Sequence, residues 1–333
     1  MITNPLLWGI FLLPVRVWAY ALPEPCSGIC TNTHDPSIIR RPDGTYFRFS
    51  TGGKIAIHTA PSLNGPWTYK GAAIPRGSSI NLPGNQDLWA PELSRSNSTY
   101  HLFYSVSTFG SQTSAIGLAT SPSLDFNTWT DLGSINLASS PASSAPYNAI
   151  DPSIIYDPKQ GSKPYLTFGS WWRGIHIIPL DPSGSSFAAP PSSSSAIQLA
   201  FDPSDPATEG ASVYFRREDG YFYLFFSKGT CCGYDRSRPQ RGKEYKILVC
   251  RASSVTGPYA DRSGRDCRSG GGTVVLESHG WVYGPGGQGV FEDGINGSPV
   301  IYYHYVDTRV GYADGQKRFG WNWLRFEAGW PVV

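Results

Sequence analysis

His34-Asp35-Pro36-Ser37-Ile38-Ile39-Arg40, the turn Pro42-Asp43-Gly44 and then Tyr46-Phe47-Arg48-Phe49-Ser50 form a β-type run, a tight reversal and a second, aromatic run. Pro and Gly set the reversal, and the branched and aromatic residues on either side favour extended backbone. The layout recurs. First runs of the same kind stand at Glu92 to Arg95, Ser153 to Tyr156, Ala211 to Phe215 and Gly289 to Phe291. Each precedes an aromatic run, most of them ending in serine: Tyr100 to Ser105, Tyr165 to Ser170, Tyr221 to Ser227 and Val300 to Tyr305. Third runs follow at Ile55 to His58, Ile116 to Ala119 and Tyr245 to Val249. A fourth element is marked by Ala60 to Trp67, by Ser121 to Leu124 leading to Trp129, and by Ser253 to Tyr259. Five units of four strands predict an all-β chain folded as a five-bladed β-propeller. A sandwich of chance-similar hairpins would give no reason for the unit to recur.

In a propeller the first strand of every blade starts beside the central channel, so residues at its start face one another across the axis. Aligning the five first strands puts Asp35, Ala90, Asp151, Glu209 and about Gly287 at the equivalent place. Three are acids. Like charges crowded round one opening raise one another's pKa and cost stability, so a purely structural role explains them poorly. Glycoside hydrolysis uses such a set: one protonated carboxyl gives its proton to the leaving oxygen while an ionised one activates water or attacks. Flat apolar faces for sugar rings are plentiful, with 11 tryptophans and 19 tyrosines among 333 residues.

The formal net charge of +2 and the lack of a basic run interleaved with aromatics argue against nucleic acid. Leu6 to Val15 is apolar and is followed by Ala19-Tyr20-Ala21, a small-x-small cleavage pattern, although no Lys or Arg precedes the run. Residues 1–21 read as a secretory signal and 22–333 as the propeller domain, soluble, extracellular, monomeric and off the membrane. Six cysteines after the signal agree with an oxidising compartment. They allow 15 pairings; Cys26 with Cys30 and Cys250 with Cys267 are the local candidates, and the adjacent Cys231-Cys232 is not a zinc spacing. Asn97-Ser98-Thr99 and Asn296-Gly297-Ser298 are glycosylation sequons, the second weakened by Pro299, and Pro190 to Ser195 reads as a loop.

An ordered set of motifs adds a resemblance running from about Cys26 to the C-terminus. Thr33-His34-Asp35-Pro36-Ser37, Leu88-Trp89-Ala90-Pro91-Glu92, Tyr147-Asn148-Ala149-Ile150-Asp151, Phe168-Gly169-Ser170-Trp171, Glu209-Gly210-Ala211, Cys231-Cys232-Gly233-Tyr234, Tyr283 to Gly289 and His304-Tyr305 resemble the fungal endo-arabinanases of glycoside hydrolase family forty-three. The resemblance implies endo-hydrolysis of α-1,5-linked arabinofuranose in arabinan, with inversion. Asp35 would be the general base, Glu209 the general acid, and Asp151 the acid that raises the pKa of Glu209 and orients it. His34, Trp89, Asn148, Ser170, Trp171 and Cys232 would surround the sugar. A central ion, calcium, would lie beside His304, held largely through water, and no organic cofactor is called for. The chain departs from the family pattern at Glu92, where many members carry Asp, and at Gly286-Gly287-Gln288, where many carry histidine. Glu92 reads as a supporting or surface residue. An exo-acting arabinofuranosidase or xylosidase on the same scaffold, and a non-catalytic sugar-binding propeller, are the rival readings.

Overall fold

The computed structural model describes residues 20–187, 195–294 and 297–333. Residues 1–19 of the expected signal, most of the Pro190 to Ser195 loop and Asn296 lie outside them.

Blade 1 comprises β1 (Ser37–Arg40), β2 (Tyr46–Ser50), β3 (Ala56–Ala60) and β4 (Thr68–Ala72). Blade 2 comprises β5 (Trp89–Ser96), β6 (Thr99–Val106), β7 (Ser114–Ser121) and β8 (Thr130–Ser139). Blade 3 follows with β9 (Ser153–Asp157), β10 (Lys163–Phe168), β11 (Ile175–Pro179) and β12 (Ile197–Ala200). Blade 4 is β13 (Thr208–Arg216), β14 (Tyr221–Lys228), β15 (Lys246–Ala252) and β16 (Thr273–Leu276). All four are antiparallel sheets with strands in sequence order, as the repeat predicts.

Blade 5 departs from the four-strand expectation. Its sheet holds three strands, β17 (Val282–Glu292), β18 (Pro299–Asp307) and β19 (Arg318–Trp323). Beyond β19 runs the start of the chain: Glu24 N–H donates to Trp321 O (2.9 Å), Phe319 N–H to Cys30 O (2.8 Å), and Thr31 bridges Arg318. An exposed edge is thereby paired by the opposite end of the molecule. A last hairpin, β20 (Arg325–Glu327) with β21 (Trp330–Val332), packs Phe326 and Trp330 into the seam between blades 4 and 5.

The second strands are rich in apolar and aromatic residues because both of their faces are buried. Leu102 and Tyr104 of β6 point into the seam with blade 1, while Phe103 between them joins the seam with blade 3. In β14, Phe222, Leu224 and Phe226 face blade 3, and Tyr223 and Phe225 face blade 5. Side chains alternate along a strand, so each such strand feeds two of the five apolar seams. In the seam between blades 5 and 1, buried Arg48 lies with its guanidinium 4.9 Å from the rings of both Trp67 and Phe319, and its Nη2 donates to Ile29 O (2.8 Å). Burial pushes its pKa down to about 9.

One register feature corrects the sequence alignment. Asp35, Ala90 and Asp151 share left-handed backbone, with φ of 42°, 44° and 57°, and Gly210 and Gly287 take the same step with φ of 61° and 58°. The equivalent residue in blade 4 is therefore Gly210. Glu209 stands one place earlier, level with His34, Trp89, Ile150 and Gly286. The extra residue at the register shifts of β5, β13 and β17 carries this conformation. One residue of offset turns a side chain to the other face, so Glu209 enters the site from a different direction than Asp35 and Asp151.

Candidate active site

The left-handed residues are pinned by hydrogen bonds that run round the ring. Ala90 N–H donates to Thr51 Oγ1 (2.8 Å), Asp151 N–H to Ser105 Oγ (3.0 Å), Gly287 N–H to Ser227 Oγ (2.9 Å) and Asp35 N–H to His304 Nδ1 (3.0 Å). Each acceptor stands in, or directly after, the preceding blade's second strand. These bonds over-determine a backbone that costs an L-residue roughly 1–3 kcal/mol. Blade 4 breaks the pattern. Gly210 N–H donates to Asp151 Oδ2 (3.2 Å), and Ser170 is released to donate to Glu209 Oε2 (2.6 Å).

The three acids consequently sit in three environments. The Asp35 side chain is 34% exposed at the mouth, with Oδ2 accepting from Thr51 Oγ1 (2.9 Å). Glu209 is buried, with Oε2 bonded by Ser170 and Oε1 by Tyr245 Oη (2.9 Å). Asp151 lies beneath, held through Gly210. Burial, and then the charges of Glu209 and Asp35, lift the Asp151 carboxyl well above the usual range. Burial raises Glu209 as well, against the pull of its two hydroxyl donors, and the charge of Asp35 adds to it. Asp151 and Glu209 titrate as a pair. When Asp151 ionises, the remaining proton is held more tightly on Glu209.

Other sequence candidates fall around this core. His34 Nε2 donates to Asp314 O (2.8 Å), and its ring lies 5.4 Å from that of His304; burial and then the Lys317 charge lower its pKa. Trp89 stands in blade 2 where Glu209 stands in blade 4, with Nε1 on Asp87 Oδ2 (3.1 Å). Trp171, in a turn with φ of 54°, exposes its ring, as does Trp172. Cys232 is joined to Cys231, and its Sγ receives Lys317 Nζ at 3.5 Å. The two local pairings, Cys26–Cys30 and Cys250–Cys267, are both formed. Asn148 is buried, and its Oδ1 accepts from Ser114 Oγ (2.7 Å) and Ser139 Oγ (3.4 Å), so it shapes the loop leading to Asp151.

Sequence reasoning passed over Tyr245, Gln288 and Lys317. Gln288 accepts from Ser227 Oγ (2.7 Å) and donates to Gly210 O (2.6 Å), which fixes the backbone next to Glu209. Lys317 is fully buried, donates to Cys231 O (2.8 Å) and Asp314 Oδ1 (3.2 Å), and adds positive charge beside the acids. Tyr245 opens a run whose strand character was legible, but nothing local marked its hydroxyl as a partner of Glu209. Of the two positions read for Glu92, supporting or surface, the structure places it away from the surface, lining the central channel beside Ser37 and Ser153.

The donor chemistry at His304 bears on the expected ion. Burial and then the Lys317 charge hold the ring well below its ordinary pKa, so it is neutral. Because Nδ1 accepts the Asp35 N–H, the ring proton stands on Nε2. Nε2 is buried and has no hydrogen-bond partner among the described residues. A metal needs a lone pair at the ligating nitrogen, and Nε2 in this tautomer presents a hydrogen. The residues thus do not fit direct ligation of a cation by His304; they fit a donor to water or to an anionic oxygen. Among the described residues no group of three His, Cys, Asp or Glu side chains is arranged to hold a metal.

A propeller that gathers a mouth-facing carboxylate, a buried carboxyl and a half-buried one with raised pKa values at its axis has the groups that glycoside hydrolases work with. The chain belongs to Glycosyl hydrolases family 43, whose pattern matches residues 29–331. It is 59% identical over 316 residues, 94% of both chains, to a protein of Aspergillus clavatus named probable arabinan endo-1,5-alpha-L-arabinosidase A. In structure it is similar to the GH43 endo-arabinanase of Bacillus licheniformis, with TM-score 0.76 and 31% identity over 93% of this chain and 99% of that one. It is equally similar to an exo-1,5-alpha-L-arabinanase from a bovine ruminal metagenomic library, with TM-score 0.77 and 28% identity over 92% and 98%.

Proposed function

We propose that the protein cleaves internal α-1,5-L-arabinofuranosidic bonds of arabinan with inversion. The observation that carries this reading is the separation of the three acids into distinct environments, on a chain 53–59% identical to curated proteins named as arabinan endo-1,5-alpha-L-arabinosidases. Asp35, at the mouth, takes a proton from the attacking water. Glu209 gives its proton to the leaving oxygen, with Ser170 and Tyr245 then stabilising the carboxylate that forms. Asp151 raises the pKa of Glu209 by like-charge repulsion and, through Gly210 N–H, helps orient it. Inversion needs base and acid roughly 6.5–9.5 Å apart so that water fits between them. The exposed rings of Trp171 and Trp172 are suited to stacking on sugar. Three disulfides suit an extracellular setting, and no helix of the described residues is long and apolar enough to cross a membrane.

The test is a time course on linear debranched arabinan. Endo action gives a spread of oligosaccharides early, whereas arabinose alone from the outset would transfer the protein to the exo class. The first product should carry the inverted anomeric configuration by NMR, and retention would sink the assignment of Asp35 as a base. Glu209→Gln should lower kcat by about 10²–10⁴-fold while oligosaccharide binding persists.

A further inference from the structure

The five first strands open His34-Asp35-Pro36-Ser37, Trp89-Ala90-Pro91-Glu92, Ile150-Asp151-Pro152-Ser153, Glu209-Gly210-Ala211-Ser212 and Gly286-Gly287-Gln288-Gly289. At the fourth place of these stretches stand three serines, a glycine and one acid, Glu92. This tier lines a central cavity of about 40 Å³ beneath the catalytic acids. Ser37 and Ser153 open β1 and β9, each two residues past the left-handed aspartate that precedes the strand.

Glu92 reaches both. Its Oε2 accepts from Ser37 Oγ (3.2 Å), and its Oε1 accepts from Ser153 Oγ (3.0 Å) and Ile154 N–H (3.1 Å). Leu93 N–H returns a bond to Ser37 Oγ (3.0 Å). The inner strands of blades 1, 2 and 3 belong to separate sheets and share no backbone ladder. The spacing of Asp35 from Asp151 therefore depends on side chains at the axis, and Glu92 spans that gap. Serines and a glycine serve the other four blades at this tier; a carboxyl is needed only where two strands must be gripped at once.

We infer that Glu92 is a positioning residue, whose carboxyl clamps the strands carrying Asp35 and Asp151 at the spacing the reaction uses. This rests on the roles proposed for those two acids. Burial pushes the Glu92 pKa up to about 7, against the pull of the Ile154, Ser153 and Ser37 donors that favour its ionised form. The groups facing it are Tyr302 and Tyr156, with Asp35 and Asp151 higher in the same cavity.

The experiment compares wild type, Glu92→Ala and Glu92→Gln by kcat and KM on linear arabinan, by Tm, and by the carboxyl 13C resonances of Asp35 and Asp151. A displacement near 1 Å costs on the order of 10²-fold. Glu92→Ala should accordingly lower kcat by about 10- to 100-fold with KM nearly unchanged, and should move both resonances. Glu92→Gln, which keeps an acceptor for Ser153 and a polar partner for Ser37, should restore kcat to within a few-fold and return the resonances. A folded Glu92→Ala enzyme with wild-type kcat overturns the inference, and so does a Gln variant as impaired as Ala. If Glu92→Ala does not fold, Ser37→Ala cuts the arm to blade 1 and Ser153→Ala weakens the arm to blade 3, which keeps Ile154 N–H, and both are read by the same outcomes. If the wild type fails to cleave arabinan, the functional reading falls separately. The resonances then decide: both unmoved overturns the clamp, both moved in Ala and restored in Gln supports it.

Discussion

At the residue scale, the site turns on one place in a strand. Asp35 and Asp151 occupy the left-handed step, while Glu209 stands before it and Gly210 takes the step instead. The acids themselves were legible, because each precedes a β-type run in a recurring unit. Their offset was not, because Glu209-Gly210-Ala211-Ser212 aligns with His34-Asp35-Pro36-Ser37 only once Gly210 is seen to carry the positive φ. The offset gives Glu209 hydrogen-bond partners that Asp151 lacks, Tyr245 and Ser170. Hydroxyl donors favour the ionised carboxylate, so removing one raises the pKa of the acid. Tyr245→Phe should therefore shift the basic limb of the kcat/KM profile to higher pH. A hydrogen bond to a charged group contributes about 1.5–3 kcal/mol and 1.36 kcal/mol is one pKa unit, so the shift should be about one to two pH units. A limb that stays put, or moves to lower pH, would remove Tyr245 from control of the acid.

At the scale of elements, the second strand of each blade carries the fold. Those strands were the clearest signal in the sequence because both faces are buried, which makes them dense in aromatic and branched residues where an edge strand would alternate. Third and fourth strands were fainter, since one seam or solvent already covers part of them. Tyr245 and Lys317 escaped notice for a related reason: each acts on an acid supplied by a different stretch of chain. The seam argument has a direct consequence. Leu224 is fully buried in the seam between blades 3 and 4, and Leu224→Ala should cost about 2–5 kcal/mol. Leu132 in β8 is 57% exposed, and Leu132→Ala should stay within about 0.5 kcal/mol of wild type. Denaturant midpoints at constant slope check both; equal effects would contradict the division of the core into blade seams.

At the scale of the whole molecule, the ring closes without a shared fourth strand. Five blades could be counted from the repeats, but the pairing of the chain's start with β19 joins residues nearly three hundred positions apart and leaves no local pattern. The closure is also where the site is assembled. Asp35 belongs to the first blade, and its N–H is held by His304 of the last. Loosening that junction acts on Asp35 before it acts on the other blades. Deleting residues 20–31 removes the bonds of Glu24, Cys30 and Thr31 to β19, the Cys26–Cys30 disulfide, and the Ile29 carbonyl that receives buried Arg48. Leaving a buried charge without its partner costs about 3–5 kcal/mol, which for a domain of this size lowers Tm by about 10 °C. Because the lost contacts lie at the junction, activity in the truncated protein should fall at a lower temperature than the β-sheet circular dichroism signal. In the full-length chain the two should fall together. An unchanged Tm, or activity and sheet signal lost in step in the truncated protein, would show that the first and last blades hold each other without the N-terminal segment.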